Sequence, residues 1–228
     1  MSSLSLVFVL SHYSDSLAWL ADVPNHPHVV YSKAGGLPAE HFEVPKNVAG
    51  EATSYLRLSS ITKNHLPSSL LLLHSHRYSY HQEDILTLLP RLLDAGADSY
   101  CNINSAVWGH REDPSRSLLS RHWADWIGEH LGEHEGDSPR AMDRCCAQFL
   151  VTRGRVLARP VEFYERALEV LDRAEPGTEE SREGGLVMEW IWHIVFGEDF
   201  VVSEVEELAR RADTFDMATL EKRPWCAP

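Results

Sequence analysis

The chain has 228 residues, 43% hydrophobic and 24% charged, enough for one well-buried core and short for two independent domains. Lys and Arg number 21 against 34 Asp and Glu, a formal charge of −13, which argues against a phosphate-tracking nucleic-acid binder or a basic membrane-surface protein. We therefore expect one α/β domain over 1–228, with a charged helical tail about 203–228.

Ser5 to Leu10 is an apolar run bounded by polar residues and reads as a buried strand. It lacks the basic flank and cleavage site of a signal peptide. Ser14 or Asp15 could cap a short helix over Leu17, Trp19 and Leu20, ended by Pro24 and Pro27. His28 to Tyr31 is a second strand, broken by Gly35-Gly36. Glu51 to Leu66 has apolar positions near a helical period and stops before Pro67. Leu70 to Leu73 is wholly apolar, as expected of a central strand covered on both faces.

Asp84 to Leu93 reads as a helix capped or interrupted around Pro90, and Tyr100 to Val107 as extended chain. Glu112 to Arg140 suggests an amphipathic helix followed by an acidic loop. Gln148 to Thr152 is a strand, and Arg159-Pro160 opens a helix through Leu171, with Pro in its favoured first turn. Pro176 to Gly185 reads as a charged loop and Leu186 to Phe196 as a Trp-rich helix ended by Gly197. Alternating strands and helices predict a three-layer α/β sandwich with a mostly parallel central sheet.

The four cysteines, Cys101, Cys145, Cys146 and Cys226, show no zinc-ribbon or CxxC spacing. Adjacent cysteines seldom bridge without strain, so Cys145 and Cys146 read as small buried residues on opposite faces of a strand. With no apolar stretch near the ~20 residues that span a bilayer, the expected setting is reducing and cytoplasmic.

Thirteen histidines are more than a scaffold needs, and histidine both titrates near neutrality and is the commonest metal ligand. The densest cluster, His74-Ser75-His76-Arg77-Tyr78-Ser79-Tyr80-His81-Gln82-Glu83-Asp84, follows the most apolar strand. Ligands in open α/β sheets sit outside the carboxyl ends of strands. In extended chain His74 and His76 share a side, and His81 can join them from the following turn. The set suits acid/base chemistry or, with a third ligand, a divalent metal. The bland reading is that these groups satisfy backbone at a strand end.

Glu189 and His193, four residues apart, share a helix face, so the carboxylate could orient the imidazole; aromatic packing is the plainer account. His130-Leu131-Gly132-Glu133-His134 matches HxxEH formally, but Gly132 lies within it and Gly128 and Gly136 flank it, which disfavours the helix a zinc site needs. GxGxxG, P-loop, GxSxG and a convincing DxD after a strand are all missing.

The stretches HSHRYSYHQED from His74, CCAQFLVT from Cys145, RPVEFYER from Arg159 and EWIWHIVFG from Glu189 resemble a fungal family of unknown function. Its members carry HSHRYxWHxDD, CCAQFAVT and WHIIFG. The resemblance runs from Tyr13 to Gly197, with Tyr80 in place of Trp and Gln82-Glu83 in place of Asn-Asp. That family looks distantly like the A-type glycosyltransferases, which implies a glycosyltransferase-A-like fold, although their metal-binding carboxylates are not matched here.

The favoured reading is a cofactor-independent small-molecule enzyme of isomerase, cyclase, lyase or hydrolase type, in fungal secondary metabolism as the resemblance implies. His74, His76 and His81 would move protons, Arg77 would stabilise negative charge, and Glu189 would orient His193. Tyr13, Lys33, Tyr55, Tyr78, Tyr80, Trp108, Gln148 and Trp192 would line the substrate pocket, with Trp190 among its apolar walls. No cofactor is expected; a divalent metal on the three histidines is the variant. Neither nucleic acid nor membrane is an expected partner. The alternatives are a nucleotide-sugar transferase, using Lys33, Arg77 and Arg153 for the diphosphate, and a non-enzymatic binding module.

Overall fold

The computed structural model describes residues 6–35, 41–61, 66–79, 81–93, 100–104, 114–132, 141, 146–200 and 225–226. Seven strands make one sheet: β1 (Leu6–His12), β2 (His28–Ser32), β3 (Phe42–Glu43), β4 (Ser69–His74), β5 (Tyr100–Asn102), β6 (Phe149–Thr152) and β7 (Trp225–Cys226). Their order is β3-β2-β1-β4-β6-β5-β7. β1 pairs in parallel with both β2 and β4, and β2 with β3, whereas β6 is antiparallel to β4 and β5, and β7 to β5. The sheet is therefore mixed, parallel on the β1 side and antiparallel beyond β4.

Leu70 to Leu73 are all buried, as a strand between two neighbours and two covering layers requires. Alternation along the strands divides the core. Val9, Leu70, Leu72, Phe149 and Val151 face one apolar cluster, while Phe8, Leu10, Leu71, Leu73 and Leu150 face another. The first is closed by α1 (Ala52–Ile61), α3 (Pro114–His122), α6 (Val161–Leu171) and α7 (Glu179–Val195), the second by α2 (Ile85–Leu93) and a 3-10 turn at Ala18–Asp22. Three layers result. A π-helical turn (Trp123–Ile127), α4 (Gly128–Leu131) and α5 (Arg153–Ala158) complete the helices of the described residues.

Several elements differ from expectation. The predicted loop 176–185 is mostly helix: Thr178 accepts the Ser181 N–H at 3.3 Å, Glu179 and Glu180 favour the helix N-terminus, and α7 starts at Glu179, ahead of the expected Leu186. Gly184 and Gly185, costly inside a helix, permit close packing. A Cβ on Gly185 would come 3.1 Å from the Ala49 carbonyl carbon. α2 continues through Pro90; α1 is described over Ala52–Ile61, and 62–65 lie outside the described residues. At the end of the chain Trp225–Cys226 is a strand, not the close of a helical tail, while 201–224 lie outside the described residues.

The cysteines also differ. Cys101 and Cys146 are disulfide-bonded, so the expectation of buried free thiols fails, and with it the cysteine argument for a reducing setting. Cys146 precedes β6 and holds φ at 66°, a left-handed conformation rare outside glycine. Among the described residues no helix is long and apolar enough to cross a membrane.

Candidate functional site

β1 lies between β2 on one side and β4 on the other, so the connections leaving the carboxyl ends of β1 and β4 diverge there. Such a divergence leaves a crevice where α/β proteins bind ligands. A cavity of about 290 Å³ occupies it. Ser11 and His12 at the end of β1 with Tyr13 and Asp15 beyond it, Lys33 after β2, and His74 at the end of β4 with Ser75 and His76 beyond it form its walls, with Asn47, Gly50 and Glu51 from the segment entering α1.

β4 ends at His74, and the chain then bends through 75–77. Antiparallel bridges of Gln82 with Ser79 and Asn104 fold the next turn back. That return brings His81 to the pair. Ring centroids stand 5.1 Å apart for His74 and His76, 5.9 Å for His74 and His81, and 6.0 Å for His76 and His81. One ring nitrogen from each lies within 4.8 Å of the other two.

Beneath them is a buried amide network. Asn104 Nδ2 donates to Asn102 Oδ1 at 2.9 Å and to the Cys146 and Gln148 carbonyls at 3.0 Å, which fixes the orientation of its amide. Asn104 Oδ1 consequently accepts, taking His81 Nδ1–H at 3.0 Å and Gln148 Nε2 at 3.1 Å. Gln148 Oε1 accepts the His74 backbone N–H at 3.0 Å. With its proton on Nδ1, His81 carries its ring lone pair on Nε2.

Burial, then the neighbouring His74 and His81, push the His76 pKa down to about 4 against an opposing pull from Asp15. Burial likewise lowers that of His81, opposed by Asn104. Two neutral imidazoles at neutral pH follow. Glu51 Oε2 stands 3.5 Å from His74 Nε2, while Glu51 Oε1 and His76 Nε2 are buried without hydrogen-bond partners among the described residues. Burial works to raise the Glu51 carboxyl pKa, but His74, the backbone N–H and Lys33 prevail and lower it. Lys33 donates to the Val48 carbonyl at 2.9 Å and to that of Gly50, and burial brings its pKa to about 8.

The other predicted residues separate. Arg77 is turned from the cavity: its guanidinium grips Asp84 at 2.6–2.9 Å and Asp22 at 3.2 Å, and Asp84 also accepts the Leu86 N–H at the start of α2. It therefore ties the loop to the helix and does not face developing charge. His193 bonds the Phe200 carbonyl at 3.1 Å, and among the described residues no hydrogen bond or ion pair joins it to Glu189. Glu189 instead receives the Cys146 N–H and feels the Glu51 charge.

Tyr13 and Lys33 line the cavity. Tyr55 and Trp192 belong to the core, packed on Phe149 at 6.0 and 5.7 Å, and the Tyr55 hydroxyl donates to the Ala147 carbonyl. Gln148 serves the amide network, and Tyr78 is 70% exposed. Tyr80 and Trp108 lie outside the described residues. So do Glu133 and His134 of the HxxEH match, while His130 packs on Phe163 and Gly132, at φ 86°, ends α4. Arg153 follows β6 at the opposite edge of the sheet, where its N–H bonds the Ser68 carbonyl.

Sequence reasoning missed Glu51, His12 and Asn104. His12 bonds Ser32 Oγ at 3.2 Å and the Asp15 carbonyl at 3.0 Å; its place at the end of the first apolar strand is the one available signal. Glu51 and Asn104 reach the site only through the fold.

A family model matches residues 7–211, most of the chain, and is described as "Protein of unknown function (DUF3431)". The chain belongs to this family. The match covers every described strand of the DUF3431 domain except β7, and all the cavity residues. No curated protein matches the chain.

Proposed function

We propose that the protein is a small-molecule enzyme whose reaction centre is the histidine cluster and Glu51 at the carboxyl edge between β1 and β4. The observation that carries this reading is the convergence of three imidazoles, two of them lining the cavity and the third, His81, held behind them by a buried amide. A volume near 290 Å³ suits a small metabolite. Glu51 takes the proton: it is ionised, lines the cavity and has a carboxylate oxygen without a partner. The imidazoles act on the polar group of the substrate, and Tyr13 offers an exposed aromatic wall. The reaction falls among isomerisations, cyclisations, eliminations and hydrolyses. The fungal family resemblance supports a place in secondary metabolism.

The nucleotide-sugar alternative draws on the mixed sheet, with β6 reversed between β4 and β5, and on the likeness of the Ala147-Gln148-Phe149 strand to A-type glycosyltransferases. Its cationic groups weaken it. Arg77 is held by two carboxylates and Arg153 lies at the other edge, leaving Lys33 alone of the three beside the cavity.

The test is a metabolite-library screen by mass spectrometry with wild type and His76→Ala. The enzyme reading expects a conversion that His76→Ala loses while remaining folded. Equal conversion by both, or stabilisation by nucleotide diphosphates with manganese and no other turnover, would overturn it.

A further inference from the structure

We propose that His74, His76 and His81 form a binding site for a divalent cation of the zinc class. This deepens the enzyme reading above, since it supplies the group through which the imidazoles act, but it is tested apart from turnover.

The donor set decides the class of ion. Neutral nitrogen ligands suit zinc, cobalt, nickel and ferrous iron, whereas magnesium and calcium prefer oxygen. Three histidines with a fourth position open is an arrangement of catalytic zinc sites. Distances allow it: ligands sharing a tetrahedral zinc at ~2.0–2.1 Å stand about 3.4 Å apart. The three nitrogens already lie within 4.8 Å of one another, so modest side-chain rotations close the shell.

Two features outside the triad point the same way. Asn104 accepts the His81 Nδ1 proton and thereby presents Nε2 as the donor, the outer-shell partner that metal-bound histidines generally have. Among the described residues, buried His76 Nε2 has no hydrogen-bond partner, an expensive condition that a cation would relieve. Glu51, 3.5 Å from His74 on the cavity side, is then placed to take a proton from a water on the open position.

The experiment uses full-length protein stripped by chelator and free of any affinity tag. Cobalt titration followed in the visible, with zinc competition, should show one tight site per chain. His76→Ala and His81→Ala should weaken it by more than about a hundredfold, and His193→Ala should leave it unchanged. Should the alanine variants misfold, X-ray absorption on zinc-loaded wild type decides, with three imidazole nitrogens expected at about 2.0–2.1 Å. A shell with fewer imidazoles, or full affinity in folded His76→Ala and His81→Ala, would overturn the proposal. Tight cobalt binding without any turnover in the library screen would remove the enzyme reading and keep the metal; turnover indifferent to chelation would do the reverse.

Discussion

Asn104 Oδ1 accepts the Nδ1 proton of His81 at 3.0 Å, and its orientation is imposed by three acceptors on its other side. The tautomer of a histidine in the cluster is thus set by a buried amide that does not line the cavity.

Asn104→Ala should therefore do two separable things. Loss of the buried amide leaves several partners unsatisfied, costing roughly 3 kcal/mol in guanidinium unfolding. Freed of its anchor, His81 should bind cobalt about tenfold to a hundredfold more weakly. Asn104→Asp keeps the acceptor for His81 and should retain more of the cobalt affinity, even if it unfolds as readily. Equal losses of affinity in both variants would show that Asn104 acts through stability alone.

Glu51→Gln preserves shape and removes charge. On any substrate that the screen returns, the rate should fall by about 10²–10⁴-fold with little change in melting temperature. A variant with wild-type turnover would mean that the proton goes elsewhere.

Glu189 gives a pH signature. Burial first, and the Glu51 carboxylate second, raise its pKa from 4.5 to about 8, against the Cys146 N–H. Because the folded state holds that proton more tightly than the unfolded chain, the contribution is complete below pH 4.5 and is lost as pH rises through about 8. Stability should decline across that window. Glu189→Gln should flatten the decline, and Glu51→Gln should reduce it; unfolding midpoints between pH 4 and 9 measure both.

Tyr55→Phe separates packing from binding. The hydroxyl bonds the Ala147 carbonyl within the core, so its loss should cost about 1 kcal/mol of stability. Cobalt affinity and substrate KM should stay within twofold, which a pocket-lining tyrosine would not allow.

Local pattern carried much of this far. Four consecutive leucines marked β4 as central, and the histidines following it marked the carboxyl edge that holds the cavity. Period-two spacing put His74 and His76 together, and their rings are 5.1 Å apart although β4 stops at His74. Pairings between distant segments were not legible. Glu51 reaches His74 across 23 positions, and Asn104 reaches His81 across another 23, with no local period to announce either contact. Arg77 misled for a related reason: a cation beside two histidines suggests anion binding, but Asp84 and Asp22 were closer partners in space. The first turns of α7 were hidden because adjacent glycines usually mean loop, and here they mean contact with another segment.

That contact reaches beyond packing. Ala49 is held between the backbone of Gly185 and the Ser181 hydroxyl, which accepts the Ala49 N–H at 3.0 Å, and the same short segment carries the carbonyls that engage Lys33 and leads into Glu51. A single methyl at position 185 would press on Ala49 from behind and shift both charged side chains at once. Gly185→Ala should thus behave like a lesion of the reaction centre, inherited through a helix that offers the cavity no side chain of its own.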